Sequence, residues 1–221
     1  MDRADTFYAI DDDQIVRLTP AGVMACDLDG TPLRLRTLSV SGDRETAEKG
    51  GHPDFMTKEI EEQPEALRAT LMDRWHDGVL HLDERRIAEE QLGDIARVVL
   101  VAAGTSYHAA QVARAALEQW ARLPAEVEIS SEYRYRDPIV EIGTLVIGVS
   151  QSGETIDTIQ AIREAKRRGA RVIAISNIVG SSLARESDAV IYTRAGLEVS
   201  VASTKAFVAQ VVALTTRSSG R

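Results

Sequence analysis

Residues 144–168 read TLVIGVSQSGETIDTIQAIREAKRR. The apolar run Thr144–Val149 passes through six small polar residues, Ser150–Thr155, into a segment whose apolar positions recur at three- and four-residue spacing. Unbroken hydrophobicity is the mark of a strand buried on both faces, and the following period is that of an amphipathic helix. Strand, polar loop and helix together form half of a βαβ unit, so the stretch predicts a parallel sheet. It also poses a question of chemistry, because SQSGET reads either as a connecting turn or as a cradle for an anion.

The same texture extends in both directions from residue 95 onward. ARVVLVAAG reads as a strand and SYHAAQVARAALEQWARL as its helix; EVEIS is a short strand. Downstream, ARVIAIS, SSLARES, DAVIYT and STKAFVAQVVALTT continue as strand, short helix, strand and helix. The fold class read for 95–221 is therefore α/β, a doubly wound parallel sheet flanked by helices. Residues 1–40 differ: FYAI, QIVRL and VMACDL are separated by DDD, TPAG and DG, the pattern of short antiparallel strands, too few to be stable alone. Residues 41–94 read as linker and helices. SGDRETAEKGG is the linker, and Phe55, Met56, Ile60, Leu67 and Leu71 fall on one helical face. Pro64 suits the first position of a second helix, and RIAEEQLGDIA reads as one more.

Composition narrows the function classes. The 221 residues carry a formal net charge of −8, which argues against general nucleic-acid binding, since phosphate backbones are held by excess Lys and Arg. The single cysteine, Cys26, permits no disulfide within the chain and excludes a Cys-based zinc site. The opening MDRADTFYAI does not read as a signal peptide, and no apolar run approaches a membrane span of about 18 residues, so the expectation is a cytoplasmic protein with no membrane partner.

In open parallel sheets, ligands bind outside the carboxyl ends of the strands. Every such loop here is rich in small polar residues: AGTS (103–106), SQSGET (150–155), NIVGSS (177–182) and RAGLEVSVASTK (194–205). A helix N-terminus offers unpaired N–H groups and partial positive charge, and serine and threonine hydroxyls add donors at short reach. For any one loop taken alone a helix cap, here at Ser152 or Thr155, is the favoured reading. Their convergence at one sheet edge points to an anion or sugar-phosphate site. Neither GxxxxGK followed by Ser/Thr nor GxGxxG is present, so nucleotide and dinucleotide readings lose support.

Other residues read as structural. Cys26 suits a small core position, and Trp75 and Trp120 suit packing. His52, His76, His81 and His108 lack metal-ligand spacing, and His108, close to the first loop, lacks an orienting partner. Glu154 beside the phosphate loop suits a structural place at the helix start better than acid–base work. Lys205 reads as structural or as an electrostatic neighbour, and SEYRYRDP (131–138) as a subunit or domain contact.

AGTSYHAA, SQSGETIDT, SNIVGSSLARESD and RAGLEVSVASTKAF resemble the signature loops of the sugar isomerase (SIS) domain. With KGGHPDFMTKEIEEQP and SEYRYRD they are similar to the glutamine–fructose-6-phosphate aminotransferase (isomerising) family. The resemblance implies that 1–40 are the last strands of a glutaminase domain and 95–221 the first SIS domain. It implies that Ser150, Gln151, Ser152 and Thr155 hold the phosphate of fructose 6-phosphate, and that Gly104, Thr105, Ser106, Val201, Ala202 and Ser203 line the sugar. It implies no metal or organic cofactor, a homodimer formed through SIS domains, and glucosamine 6-phosphate as product. Ala103 stands where the family usually has cysteine, and Leu197 departs from its usual AGPE or AGTE. The family's N-terminal cysteine nucleophile has no counterpart here, nor do the glutamate, histidine and lysine of its second SIS domain. The expectation is a segment that binds the sugar phosphate without converting it; the alternative is a stand-alone SIS module that binds or senses sugar phosphates without catalysis.

Overall fold

The computed structural model describes residues 7–38, 49–72, 74–76, 79–80, 83–85 and 94–216. The chain divides into two compact units, residues 1–46 and 47–221. In the first, β1 (Phe7–Ala9) pairs antiparallel with β5 (Arg36–Leu38). The strands β2 (Gln14–Thr19), β3 (Gly22–Asp27) and β4 (Pro32–Leu33) form a three-stranded antiparallel sheet. The turn after β3 is closed by Asp27, whose Oδ1 accepts from the N–H groups of Asp29 and Thr31. Cys26 lies in β3 opposite Ile15, half-buried.

The second unit begins with α1 (Phe55–Glu61) and α2 (Gln63–Leu71), the latter carrying Pro64 in its first turn. Asp54 caps α1 by accepting from Thr57 N–H at 2.7 Å. That bond holds the Asp54 carboxyl below its ordinary 3.8, so the cap acts above that value and is lost as pH falls through the lowered one. A small hairpin, β6 (Trp75–His76) with β7 (Val79–Leu80), and β8 (Glu84–Arg85) follow. Then come β9 (Arg97–Ala102), α3 (Gly104–Ala116) ending in a π-helical turn (Leu117–Ala121), β10 (Ala125–Ile129), the short α4 (Ser130–Tyr133) and β11 (Thr144–Ser150). The unit closes with α5 (Ile156–Arg167), β12 (Arg171–Ser176), α6 (Ser182–Glu186), β13 (Ala189–Tyr192) and α7 (Lys205–Thr215).

The sheet order is β10-β9-β11-β12-β13-β8. Its first five strands are parallel, and β8 adds an antiparallel edge through Val190↔Glu84 and Ala189↔Arg85. The α/β class expected from the alternating pattern is the fold observed. Val98 and Leu100 point to the face covered by Ala110 and Ala113 of α3. Val99, Val101, Val146 and Val172 point to the other, against Ile159 and Ile162 of α5 and Leu183 of α6. Burial on both sides explains why these strands alternate neither in sequence nor in exposure. On the α5 side the fit is tight, because a Cβ on Gly148 would lie 2.8 Å from Ile162 Cγ2 and 3.2 Å from Leu183 Cδ1.

Three readings of the sequence are corrected. First, the apolar face read over 55–71 is only partly covered: Phe55 and Leu67 are half-buried and Met56, Ile60 and Leu71 are 42%, 48% and 49% exposed, whereas Glu59, Ala66 and Thr70 are buried. The reason is local. Ala66 packs with Ala195 and with Ala209 of α7, where small residues let two helices approach closely, and Thr70 Oγ1 reaches Thr193 O at 2.5 Å. Second, the zone read as linker and helices also supplies β6, β7 and β8, each only two residues long and so without a readable period. Third, Trp120 is 52% exposed at the π-helical turn rather than packed inside. The helix expected at RIAEEQLGDIA lies almost entirely outside the described residues, and the final RSSGR beyond Thr216 does too.

A buried ionic knot ties β8's approach to the end of β13. Arg74 donates to Asp83 Oδ2 at 2.9 Å and to Tyr192 O, while the same carboxylate accepts from Tyr192 N–H and pairs with Arg194 at 2.5 Å. Burial lowers the Arg74 pKa from its ordinary value, an effect the Asp83 charge opposes. Among the described residues no helix is long and apolar enough to cross a membrane.

Gly148→Ala is expected to destabilise the chain by about 1–3 kcal/mol through overpacking against Ile162 and Leu183. Urea denaturation followed by circular dichroism measures it, and an unchanged midpoint would mean that the α5–sheet contact has slack.

Candidate functional site

The five parallel strands run in the order second, first, third, fourth, fifth along the chain, so connections leave β9 and β11 in opposite directions. Helices α3 and α5 consequently lie on opposite faces, and a crevice opens between the carboxyl ends of β9 and β11. A cavity of about 160 Å³ occupies it. Its walls come from Ala103, Thr105 and Ser106 after β9, from Val149–Ser152 and Thr155 at and after β11, and from Glu198, Ser200, Val201 and Ser203 ahead of α7.

The loop after β11 holds its own shape. Ser150 Oγ accepts from Gly153 N–H at 3.1 Å and lies 2.9 Å from Thr155 Oγ1; Ser152 Oγ accepts from Glu154 N–H at 3.2 Å. Gly153 has φ +65°, and a Cβ there would collide with Ser181 Oγ and lie 2.6 Å from Ser176 Oγ. Only glycine satisfies both the left-handed backbone and the missing space. Thr155 occupies the N-cap of α5, yet its hydroxyl is not bonded to that helix's first turn. Ala103 at the N-cap of α3 has no side chain that could be. Both helix N-termini therefore face the cavity region without a side-chain cap, presenting N–H groups and partial positive charge. At α7 the situation is reversed: Glu198 Oε1 accepts from the N–H groups of Thr204 at 2.9 Å and Ala206 at 3.2 Å. A carboxylate already fills that helix end.

Of the residues singled out by sequence, Thr105, Ser106, Ser150, Gln151, Ser152, Thr155, Val201 and Ser203 line one cavity, whereas Gly104 and Ala202 are not among its lining residues. Ser203 Oγ is buried and has no hydrogen-bond partner among the described residues. Sequence reasoning passed over Glu198 and Ser200; their only signal was membership of the polar loop 194–205. Ala103, noted as a departure, does stand in the wall. Glu154 Oε1 accepts from Ser182 N–H at 2.8 Å, a structural role as expected but at the start of α6 rather than of the adjoining helix α5. Lys205 is buried against Glu62 at 2.6 Å, away from the cavity lining. His108 is exposed, in edge contact with Tyr107. Among the described residues no group of three or more His, Cys, Asp or Glu side chains could hold a metal ion.

A model of the SIS domain family matches residues 91–216. Over 202 residues, 91% of its length, the chain is 52% identical to a glutamine–fructose-6-phosphate aminotransferase (isomerising) of Streptomyces coelicolor, covering 33% of that protein. The corresponding protein of Corynebacterium diphtheriae is 52% identical over 205 residues, again with 33% covered. The chain thus spans about a third of the length of these relatives. Among solved structures, the C-terminal domain of glucosamine-fructose-6-phosphate aminotransferase from Francisella tularensis superposes with TM-score 0.71 at 44% identity, covering 76% of this chain and 47% of that one.

Gly153→Ala and Gly180→Ala separate the two demands on the glycine of the loop after β11. Gly180 has φ +71°, and a Cβ at that position would meet only open space, so its variant is expected to lose only the left-handed preference, about 1–2 kcal/mol. Gly153→Ala should lose clearly more in the same denaturation experiment; equal losses would show that Ser176 and Ser181 yield without cost.

Proposed function

The chain belongs to the SIS domain family, and from that premise we propose that the crevice between β9 and β11 is a sugar-phosphate site, with fructose 6-phosphate and glucosamine 6-phosphate as its ligands. One observation carries the reading: hydroxyl-bearing loops and two helix N-termini without side-chain caps converge on a single cavity at the strand ends. In this reading the phosphate sits at Ser150, Gln151, Ser152 and Thr155. The sugar hydroxyls face Gly104, Thr105 and Ser106 on one side and Val201, Ala202 and Ser203 on the other. The dianion is held by dipoles and neutral donors rather than by cationic side chains, which suits a chain of net charge −8.

The 52% identity supports a more specific proposal, that these residues are a segment of a glutamine–fructose-6-phosphate aminotransferase. Such an enzyme transfers the amide nitrogen of glutamine to the ketose carbonyl and isomerises the product to the amino aldose. Here the segment would grip and orient the substrate within a cytoplasmic, dimeric enzyme. The second reading, binding without turnover, is favoured by the cavity's own chemistry. Among the described residues, Glu198 is its only titratable lining group, and its Oε1 is engaged by two main-chain N–H groups.

Calorimetry should detect fructose 6-phosphate binding, and Ser152→Ala or Thr155→Ala should each weaken it about tenfold or more, the value of a hydrogen bond to a charged group. Unchanged affinity in both variants would remove the phosphate assignment. The 221-residue chain incubated with glutamine and fructose 6-phosphate is expected to form no glucosamine 6-phosphate. Sustained product formation would mean that it carries acid–base groups beyond those lining the cavity.

A further inference from the structure

The cavity wall opposite the phosphate loop is the irregular segment 194–204, and its shape is held by one of its own side chains and by two from elsewhere. Asn177 holds the beginning, its Oδ1 accepting from Ala195 N–H at 2.7 Å and its Nδ2 donating to Gly196 O at 2.6 Å. Glu198 holds the end by bonding the first turn of α7. The middle is held from α1: Glu59 Oε1 accepts from Val199 N–H at 2.6 Å and from Ser200 N–H at 3.2 Å. Ser200 and Val201 line the cavity directly beside this clamp.

Glu59 is an unusual residue to bury. It is 1% exposed and is the only buried side chain of α1, a helix whose apolar Met56 and Ile60 face outward. Its second oxygen, Oε2, is buried and has no hydrogen-bond partner among the described residues. An apolar side chain would anchor α1 at lower desolvation cost, so the carboxylate's distinguishing service is the pair of amides it receives. Those amides lie in a stretch with no strand or helix partner of its own. The phosphate loop, by contrast, is tied by Ser150, Ser152 and Thr155 and by Asn177 N–H, which donates to Gln151 O at 3.0 Å. None of those bonds involves α1.

We propose that Glu59, which lies ahead of the matched segment 91–216, is a positioning residue for the sugar-facing wall of the cavity: it sets how well the sugar portion is held while leaving the phosphate grip to the 150–155 loop. The proposal rests on the sugar-phosphate reading of the site. It makes α1 a working part of that site.

The test uses the full chain and two probes, fructose 6-phosphate and inorganic phosphate, titrated by calorimetry against wild type, Glu59→Leu, Glu59→Gln and Glu59→Asp. Leucine approximates the volume but leaves two amides unpaired; glutamine keeps an acceptor oxygen at the same reach. Glu59→Leu is expected to weaken fructose 6-phosphate about tenfold while inorganic phosphate stays within about twofold, and Glu59→Gln to recover to within about threefold of wild type. If Glu59→Leu does not fold, Glu59→Asp carries the test, with about a threefold selective loss expected from withdrawing the carboxylate by one methylene. Unchanged fructose 6-phosphate affinity, or equal weakening of both probes, overturns the positioning role while the site assignment stands. Failure of the wild type to bind either probe overturns the site reading itself, and this inference with it.

Discussion

The placement of everything else depends on one pairing constraint: β9 lies between β10 and β11 and hydrogen-bonds to both. Parallel neighbours need crossovers of a single hand, so the helix joining β9 to β10 and the helix joining β11 to β12 are driven to opposite faces of the sheet. The loops after β9 and β11 then part company at their strand ends. Their separation is a gap that the close-packed core beneath cannot fill, because Val149 and Ala102 complete the strands just below it. A concave site at this edge is a product of topology before any functional residue is chosen.

Chemistry enters through what the gap's walls have been given. Serine and threonine dominate, and among the described residues no cationic side chain belongs to the lining. A dianion in such a place is compensated by oriented N–H dipoles, which act at short range and are weakly screened when water is excluded. The third helix end close by, at α7, is already occupied by Glu198. In the sugar-phosphate reading, that carboxylate disfavours a ligand's charge at the α7 end and leaves it to the N-terminus of α5.

The sheet was legible because burial on two faces leaves an unmistakable run of Val, Ile, Leu and Ala, as in RVVLVA and RVIAIS. The polar loops were legible for the complementary reason, as hydroxyl-rich breaks at the same end of each strand. The orientation of α1 and α2 was not. Periodicity assumes that the apolar stripe faces inward, whereas here close approach of Ala66 to Ala209, and polar contacts of Glu59 and Thr70, set the buried side. Two-residue strands such as β8 carry no period at all and are defined only by the edge they join. Glu198 and Glu59 were missed alike, because a carboxylate that serves main-chain amides is indistinguishable in sequence from a solvated one.

If the loop 150–155 holds a phosphate as proposed, its internal bonds bear on rates as well as affinity. Ser150 and Ser152 hold the N–H groups of Gly153 and Glu154, Ser150 also meets Thr155, and Gly153 is wedged beneath Ser176 and Ser181. A loop already in its final conformation surrenders little conformational entropy when a ligand arrives. In the sugar-phosphate reading, capture at this end of the cavity would then proceed at the pace of encounter, and any slower rearrangement would fall to the wall held from α1.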